Sequence, residues 1–218
     1  MLWKHYGDEV TDIGRGLVGD IDPDHPGMES WSAGGSGLYN ASSDTLLEED
    51  TPLSPWAHLS LRWDGDDIVE LYNDDKLEKW DSINPTTSGK WLRIFRIDKY
   101  GTINPGDPNP GFLGDILGDL REEVVTTNTA YDELIIFTTD RPPERRLYTL
   151  AHNPAYRNGM TLKGYVQNAH VDYYIGHSME TPQYGNATKT EHQVHRDVGL
   201  VEGVSRPTEI NAGGLEFW

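Results

Sequence analysis

The acidic residues of this chain gather in short runs broken by Gly and Pro, with a spacing that suits a hard cation. Asp20-Ile-Asp-Pro-Asp-His-Pro-Gly-Met-Glu29 and Asp115-Ile-Leu-Gly-Asp-Leu-Arg-Glu-Glu123 each close on a Glu that enters a strand-like run, and Asp64-Gly-Asp-Asp-Ile-Val-Glu70 is a shorter relative. Calcium takes six to eight oxygen ligands from carboxylates and backbone carbonyls on a tightly turning loop. In the first turn the candidate ligands are Asp20, Asp22, Asp24 and Glu29; in the second they are Asp115, Asp119 and Glu123. The carbonyls of Leu117 and Arg121 can fill the gaps in the second turn, and Gly118 permits its bend. The competing reading is a solvated surface turn, and removal of divalent ions separates the two.

Other motifs carry less. Gly14-Arg-Gly-Leu-Val-Gly19 has the G-x-G-x-x-G form, but a dinucleotide site needs a helix after it, and Pro23 and Pro26 forbid one. Arg15 then reads as a guanidinium between two flexible glycines, suited to a carboxylate. Arg121, Arg141, Arg145 and Arg146 read as structural partners of surplus carboxylates, and His152 and His170 as structural hydrogen bonders. The aromatics beside turns, Trp31, Tyr39, Trp63, Trp80, Trp91, Tyr148 and Tyr165, either stack on sugar rings or pack between sheets, and packing is the simpler reading. No G-x-S-x-G elbow and no H-E-x-x-H pair occurs.

The formal charge is −18, from 36 acidic and 18 basic residues. Such a surface repels phosphate backbones, which argues against a nucleic-acid partner. The carboxylates either chelate cations or form a solvated face adapted to salt. There is no Cys, so thiolate metal sites and thiol redox chemistry are excluded. No apolar run approaches the roughly 20 residues that cross a bilayer, and the first residues lack the apolar stretch of a signal peptide.

These turns need a scaffold of short strands. With 23 Gly and 13 Pro, turns are frequent and long helices have little room. Strand-like runs cover Ala57–Trp63, Ile68–Tyr72, Trp91–Ile97, Glu123–Thr126, Glu133–Thr138, Arg146–Leu150 and Val171–Ile175. The one modest helical candidate, Leu113–Glu123, reads better as a loop. Many short strands mean a sandwich, a barrel or a propeller, and the echo among the acidic turns favours the propeller. The fold expected is all-β, a partial β-propeller of about four to five blades over residues 1–178 at roughly 40–45 residues per blade. Residues 179–218 are expected to form a closing strand or a polar tail.

Several strings resemble the rhamnogalacturonan lyases of polysaccharide lyase family eleven. They are Asp12-Ile-Gly-Arg-Gly-Leu-Val-Gly-Asp-Ile-Asp-Pro-Asp-His-Pro-Gly-Met-Glu29, Gly37-Leu-Tyr-Asn-Ala41 and Arg62-Trp-Asp-Gly-Asp66. Gly114-Asp-Ile-Leu-Gly-Asp-Leu-Arg-Glu-Glu-Val-Val125 and Arg146-Leu-Tyr-Thr-Leu-Ala-His-Asn-Pro-Ala-Tyr-Arg157 complete the series, in the family's order, from about residue 10 to about residue 176. The resemblance implies the rear part of an eight-bladed, calcium-rich propeller, secreted to degrade pectin, that cleaves the rhamnose–galacturonate backbone by β-elimination. The implied partner is therefore an acidic polysaccharide, with no nucleic acid and no membrane. Arg15 matches the family's active-site arginine. Asp20, Asp22, Glu29, Asp115, Asp119 and Glu123 match acidic positions of its calcium loops. Asn104 and Tyr165 fall at substrate-contacting positions.

Two departures qualify the resemblance. Where the family has Asn-Gly-Thr-Lys, this chain has Asn104-Pro-Gly-Asp107, an acid in place of a cation thought to take part in catalysis. The family's chain is also much longer, so a missing N-terminal part or a partner chain is expected to complete the ring, because a partial propeller exposes sheet edges. A non-catalytic, calcium-dependent carbohydrate-binding fragment is the alternative to a lyase, and a purely structural propeller is the third reading.

Overall fold

A computed structural model describes residues 16–32, 37–49, 59–73, 75–81, 91–100, 111–145, 147–161 and 168–180. The first sheet comprises β1 (Gly16–Gly19), β2 (Glu29–Ser32), β3 (Leu38–Asn40) and β4 (Leu46–Glu48). The second comprises β5 (Ser60–Leu61), β6 (Glu70–Asn73), β7 (Lys76–Trp80) and β8 (Trp91–Arg96). The third comprises β9 (Phe112–Gly114), β10 (Glu123–Thr127) and β11 (Leu134–Phe137). Each sheet is an antiparallel meander in which every strand pairs with its neighbours in sequence.

Alternation along the strands makes these sheets two-faced. On β6, Leu71 packs in a cluster with Leu17, Trp31, Leu38, Trp80 and Trp91, joining the first sheet to the second. Its neighbour Tyr72 packs in a second cluster with Leu61, Trp63, Leu77, Val124 and Phe137, joining the second sheet to the third. One strand thus serves two cores. Trp80 meets Trp91 edge-on at 5.1 Å, and Phe95 lies 5.3 Å from Trp63 and 6.0 Å from Phe137. Trp31, Trp63, Trp80 and Trp91 are all buried, so packing between sheets is their role, as the simpler sequence reading holds. Tyr148, by contrast, is exposed beside His152.

The chain is all-β with little helix, and the loop reading of Leu113–Glu123 holds: β9 ends at Gly114 and β10 begins at Glu123. Two expected strands are absent. Over 146–150 and beyond, the described chain forms a 3₁₀ turn, Leu150–His152, and then α1 (Pro154–Thr161). Local chemistry explains the change. The Thr149 hydroxyl accepts from Ala151 N at 3.3 Å, and Asn153 Oδ1 accepts from Tyr156 N at 3.0 Å. Pro154 opens the helix, where its missing N–H costs nothing. Val171–Ile175 is also irregular, and its Ile175 carbonyl is held by the Arg62 guanidinium rather than by a ladder. A third apolar cluster, Leu120, Leu150, Tyr156 and Ile175, ties this segment to the third sheet. The expected count of four to five blades compares with three described sheets, and residues 181–218 lie outside the description. Among the described residues, no helix is long and apolar enough to cross a membrane.

Leu77 is fully buried in the second cluster, whereas Leu134 on β11 is 75% exposed. Leu77→Ala is expected to cost about 2–4 kcal/mol in urea unfolding, and Leu134→Ala to stay within about 0.5 kcal/mol. Equal effects at the two positions would contradict the sheet-to-sheet core.

Candidate cation-binding turns

Each sheet joins its first two strands by an acidic turn, and each second strand opens with a Glu of 0% exposure: Glu29, Glu70 and Glu123. A buried carboxylate must find donors, and these find them in the backbone they follow. Glu29 Oε2 accepts from Ile21 N at 2.9 Å and Asp22 N at 3.2 Å. Glu70 Oε2 accepts from Trp63 N at 2.8 Å. Glu123 Oε2 accepts from Ile116 N at 3.0 Å and Leu117 N at 3.3 Å. The donors sit at the start of the turn and the acceptor at its end. One carboxylate oxygen therefore cinches each loop.

The residue before those donors is Asp20, Arg62 or Asp115, and each reaches outside its own sheet. Asp20 Oδ2 accepts from the Tyr174 hydroxyl at 2.6 Å and from His177 N at 2.9 Å. A Cβ at Gly176 would stand 2.0 Å from that oxygen, so the approach requires glycine. Arg62 donates to the Ile175 carbonyl at 2.8 Å and to the Asp67 carbonyl at 2.9 Å. Asp115 Oδ2 accepts from the Thr149 hydroxyl and from Leu150 N, both at 2.9 Å. Its Oδ1 accepts from Gly118 N at 2.7 Å and Asp119 N at 3.0 Å, with Gly118 at a φ of 77°. Two of the expected ligands, Asp20 and Asp115, therefore staple the irregular segment to the sheets.

The second oxygen of each closing Glu meets a different fate. The residue across the ladder is Asn40 in the first sheet, directly paired with Glu29. Its amide turns away, to the Pro26 carbonyl and the Ser42 and Ser43 amides, and Glu29 Oε1 is left buried without a hydrogen-bond partner. In the second sheet Lys79 Nζ lies 3.0 Å from Glu70 Oε1 and 2.7 Å from Asp64 Oδ2, and also bonds Asp66 Oδ2. In the third the Thr138 hydroxyl donates to Glu123 Oε1 at 3.0 Å. Burial pushes Glu29 up to about 7, with its two amide donors opposing and Asp20 and Asp22 adding to the rise. Burial pushes Glu70 up to about 8 despite the Lys79 charge, while Asp64 and Asp66 reinforce the rise. Burial works against the charge on Lys79, but Glu70, Asp64 and Asp66 outweigh it and hold the ammonium above its ordinary range.

The remaining expected ligands are engaged locally. Asp22 Oδ1 accepts from Asp24 N at 3.0 Å, and its Oδ2 lies 3.1 Å from His25 Nδ1. Asp119 pairs with Arg121, whose guanidinium also bonds the carbonyls of Thr139 and Arg141. Arg145 meets Asp67 at 2.6 Å. Arg121, Arg141 and Arg145 thus serve as structural partners of carboxylates, and Arg146 lies outside the described residues. Asp64, Asp66 and Glu70 are, among the described residues, the acids whose oxygens all lie within 4.8 Å of one another. The sequence marks that turn as a relative of the other two without assigning ligands to it; the Asp64-Gly-Asp66 spacing is the signal, and the Lys79 pairing is set by strand order. Glu122 and Tyr156 are also missed. Glu122 accepts from Arg62 N at 2.9 Å and from the Tyr156 hydroxyl at 2.6 Å, and burial pushes it up to about 7. They line a cavity of about 110 Å³ with Arg62, Asn168, His170 and Ile175. Arg15, Asn104 and Tyr165 lie outside the described residues.

Comparison with known proteins places this arrangement. The chain is 35% identical over 181 residues to the rhamnogalacturonan endolyase YesW of Bacillus subtilis (strain 168), covering 82% of this chain and 27% of the relative. It is 32% identical over 200 residues to the exolyase YesX of the same organism, covering 84% of this chain and 31% of the relative. The chain therefore spans less than a third of either enzyme. A rhamnogalacturonan lyase structure from Bacillus licheniformis superposes with a TM-score of 0.71 at 32% identity, covering 83% of this chain and 30% of that one. The crystal structure of YesW gives a TM-score of 0.70 at 32% identity, covering 82% and 29%. The profile of rhamnogalacturonan lyase family 11, C-terminal domain, matches residues 1–185, and the chain belongs to that family.

Proposed function

We propose that this chain is the rear portion of a calcium-stabilised β-propeller that acts on rhamnogalacturonan, cleaving the rhamnose–galacturonate backbone by β-elimination. The observation that carries the reading is the agreement of fold and sequence with rhamnogalacturonan lyases over more than four-fifths of the chain. The chemistry follows from charge. The C5 proton of a galacturonate becomes acidic enough to remove only when its carboxylate is neutralised by a guanidinium or a cation. A base then takes that proton and the bond at O4 breaks, leaving an unsaturated uronate. Arg15 is assigned the neutralising role, and Asn104 and Tyr165 contact the sugar. The surroundings of such a protein are extracellular, where the polysaccharide is found.

Calcium enters this reading through the first turn. Glu29 Oε1 is buried without a hydrogen-bond partner and feels the charges of Asp20 and Asp22, so the first turn is assigned the cation. The third turn is closed by its own donors, the Thr138 hydroxyl and the amides on Asp115, and needs a cation less. Bound calcium would neutralise the buried acid and hold β1 to β2. The ion also offsets the negative field that a polyanionic substrate meets.

The short span and the replacement of the family lysine by Asp107 favour a second reading, a calcium-dependent binding fragment without catalysis.

At pH 8, saturating calcium is expected to raise Tm by roughly 5 °C or more and EDTA to reverse it, as binding at about 100 Kd contributes ~2.7 kcal/mol. Glu29→Gln is expected to abolish most of that rise. An unchanged Tm on adding calcium rules out the cation claim. Incubation with rhamnogalacturonan and calcium is expected to develop the absorbance of an unsaturated uronate, and Arg15→Ala to slow it by about 10²–10³-fold. A flat trace from folded protein that still binds the polysaccharide selects the binding fragment.

A further inference from the structure

The three turns are repeats of one device, and they differ in what faces the second oxygen of the closing Glu. In the second turn that partner is a cation supplied by the chain itself. Lys79 Nζ stands 2.7 Å from Asp64 Oδ2 and 3.0 Å from Glu70 Oε1, and bonds Asp66 Oδ2. These are the three acids whose oxygens cluster within 4.8 Å. Glu70 is fully buried, and the ammonium stands against its Oε1. Arg141 adds a second cation, 3.6 Å from Asp64 Oδ2.

We propose that the Lys79 ammonium is the resident cation of the second turn, filling from a neighbouring strand the place a divalent ion takes on such carboxylates, so that this turn excludes calcium and closes without it. Three observations support the assignment. The ammonium is single and central, touching one oxygen of each of three carboxylates, as a bound ion does. Continuing each ladder's register, the residue opposite the closing Glu is Asn40 in the first sheet and Thr138, one past the last pair, in the third, and neither carries a charge. An ammonium and a divalent ion cannot share the space: N···O contacts of 2.7–3.0 Å already fill it, and calcium needs its oxygens at roughly 2.3–2.6 Å.

The position in the fold gives this a purpose. The second sheet contributes to both sheet-to-sheet clusters, through Leu71 on one face and Tyr72 on the other. A covalently attached cation keeps that central sheet closed whatever the metal supply, while the first turn responds to calcium. The inference rests on the reading of these acidic turns as cation sites, but its test is relative and does not require calcium in the first turn.

The experiment counts bound calcium by equilibrium dialysis at about 1 mM free ion, in the range where extracellular sites fill. Lys79→Met is expected to bind about one more calcium per chain than the parent, whatever number the parent binds, and Lys79→Met with Glu70→Gln to lose the addition. Lys79→Arg is expected to add none. Glu70→Gln in the parent background is expected to leave the count unchanged. A folded Lys79→Met chain with the parent's count overturns the proposal, as does a calcium lost on Glu70→Gln alone. Should Lys79→Met be unfolded in the chelator, refolding by calcium supports the proposal and refolding by magnesium and calcium alike, or by neither, counts against it.

Discussion

The structure turns on burial of a carboxylate at the entrance of a strand. Glu29, Glu70 and Glu123 are each removed from water, and an isolated buried carboxylate is too costly to persist. The amides at the start of the preceding turn offset that cost, one or two per carboxylate. The exchange works both ways, because those amides lie just past the last ladder pair of the first strand. A single side chain thus satisfies the loop and fixes where the second strand begins.

From this closure the remaining architecture follows. With the turn cinched, the residue preceding its donors points out of the sheet, and Asp20, Arg62 and Asp115 use that position to hold Thr149, Leu150, Tyr174, Ile175 and His177. The same closure sets the register that sends Leu71 and Tyr72 to opposite faces and so lets one sheet anchor two cores. What differs between turns is the balance of charge at the second oxygen. One motif thus meets an unpartnered oxygen, an ammonium and a hydroxyl in its three copies. In a chain of net charge −18, placing cations where acids converge limits self-repulsion.

Much of this was legible in the sequence, and the limits are instructive. The recurring Asp-rich turn ending on a Glu before a strand is local, so β2, β6 and β10 could be placed from it. Burial of the tryptophans follows from the same pattern of short, two-faced strands. The long-range parts were hidden. Nothing near Asp115 in sequence points to Thr149 and Leu150, and nothing near Asp64 points to Lys79, because these pairings are made by strand order rather than by spacing. The runs at 146–150 and 171–175 look apolar enough for strands, yet capping by Thr149 and Asn153 and the clamp from Arg62 decide otherwise. The family strings carried what periodicity could not, since a lyase label rests on the ordered matches rather than on any one turn.

The most direct test of the account is native-state hydrogen exchange at the amides of Ile21, Trp63 and Ile116. If the buried glutamates close the turns, these three amides exchange as slowly as ladder amides such as Val124 and Tyr72, although none of them lies in a strand. Exchange at the rate of the solvent-exposed loop amides would show that the carboxylates do not hold the turns, and the architecture built on them would have to be explained another way.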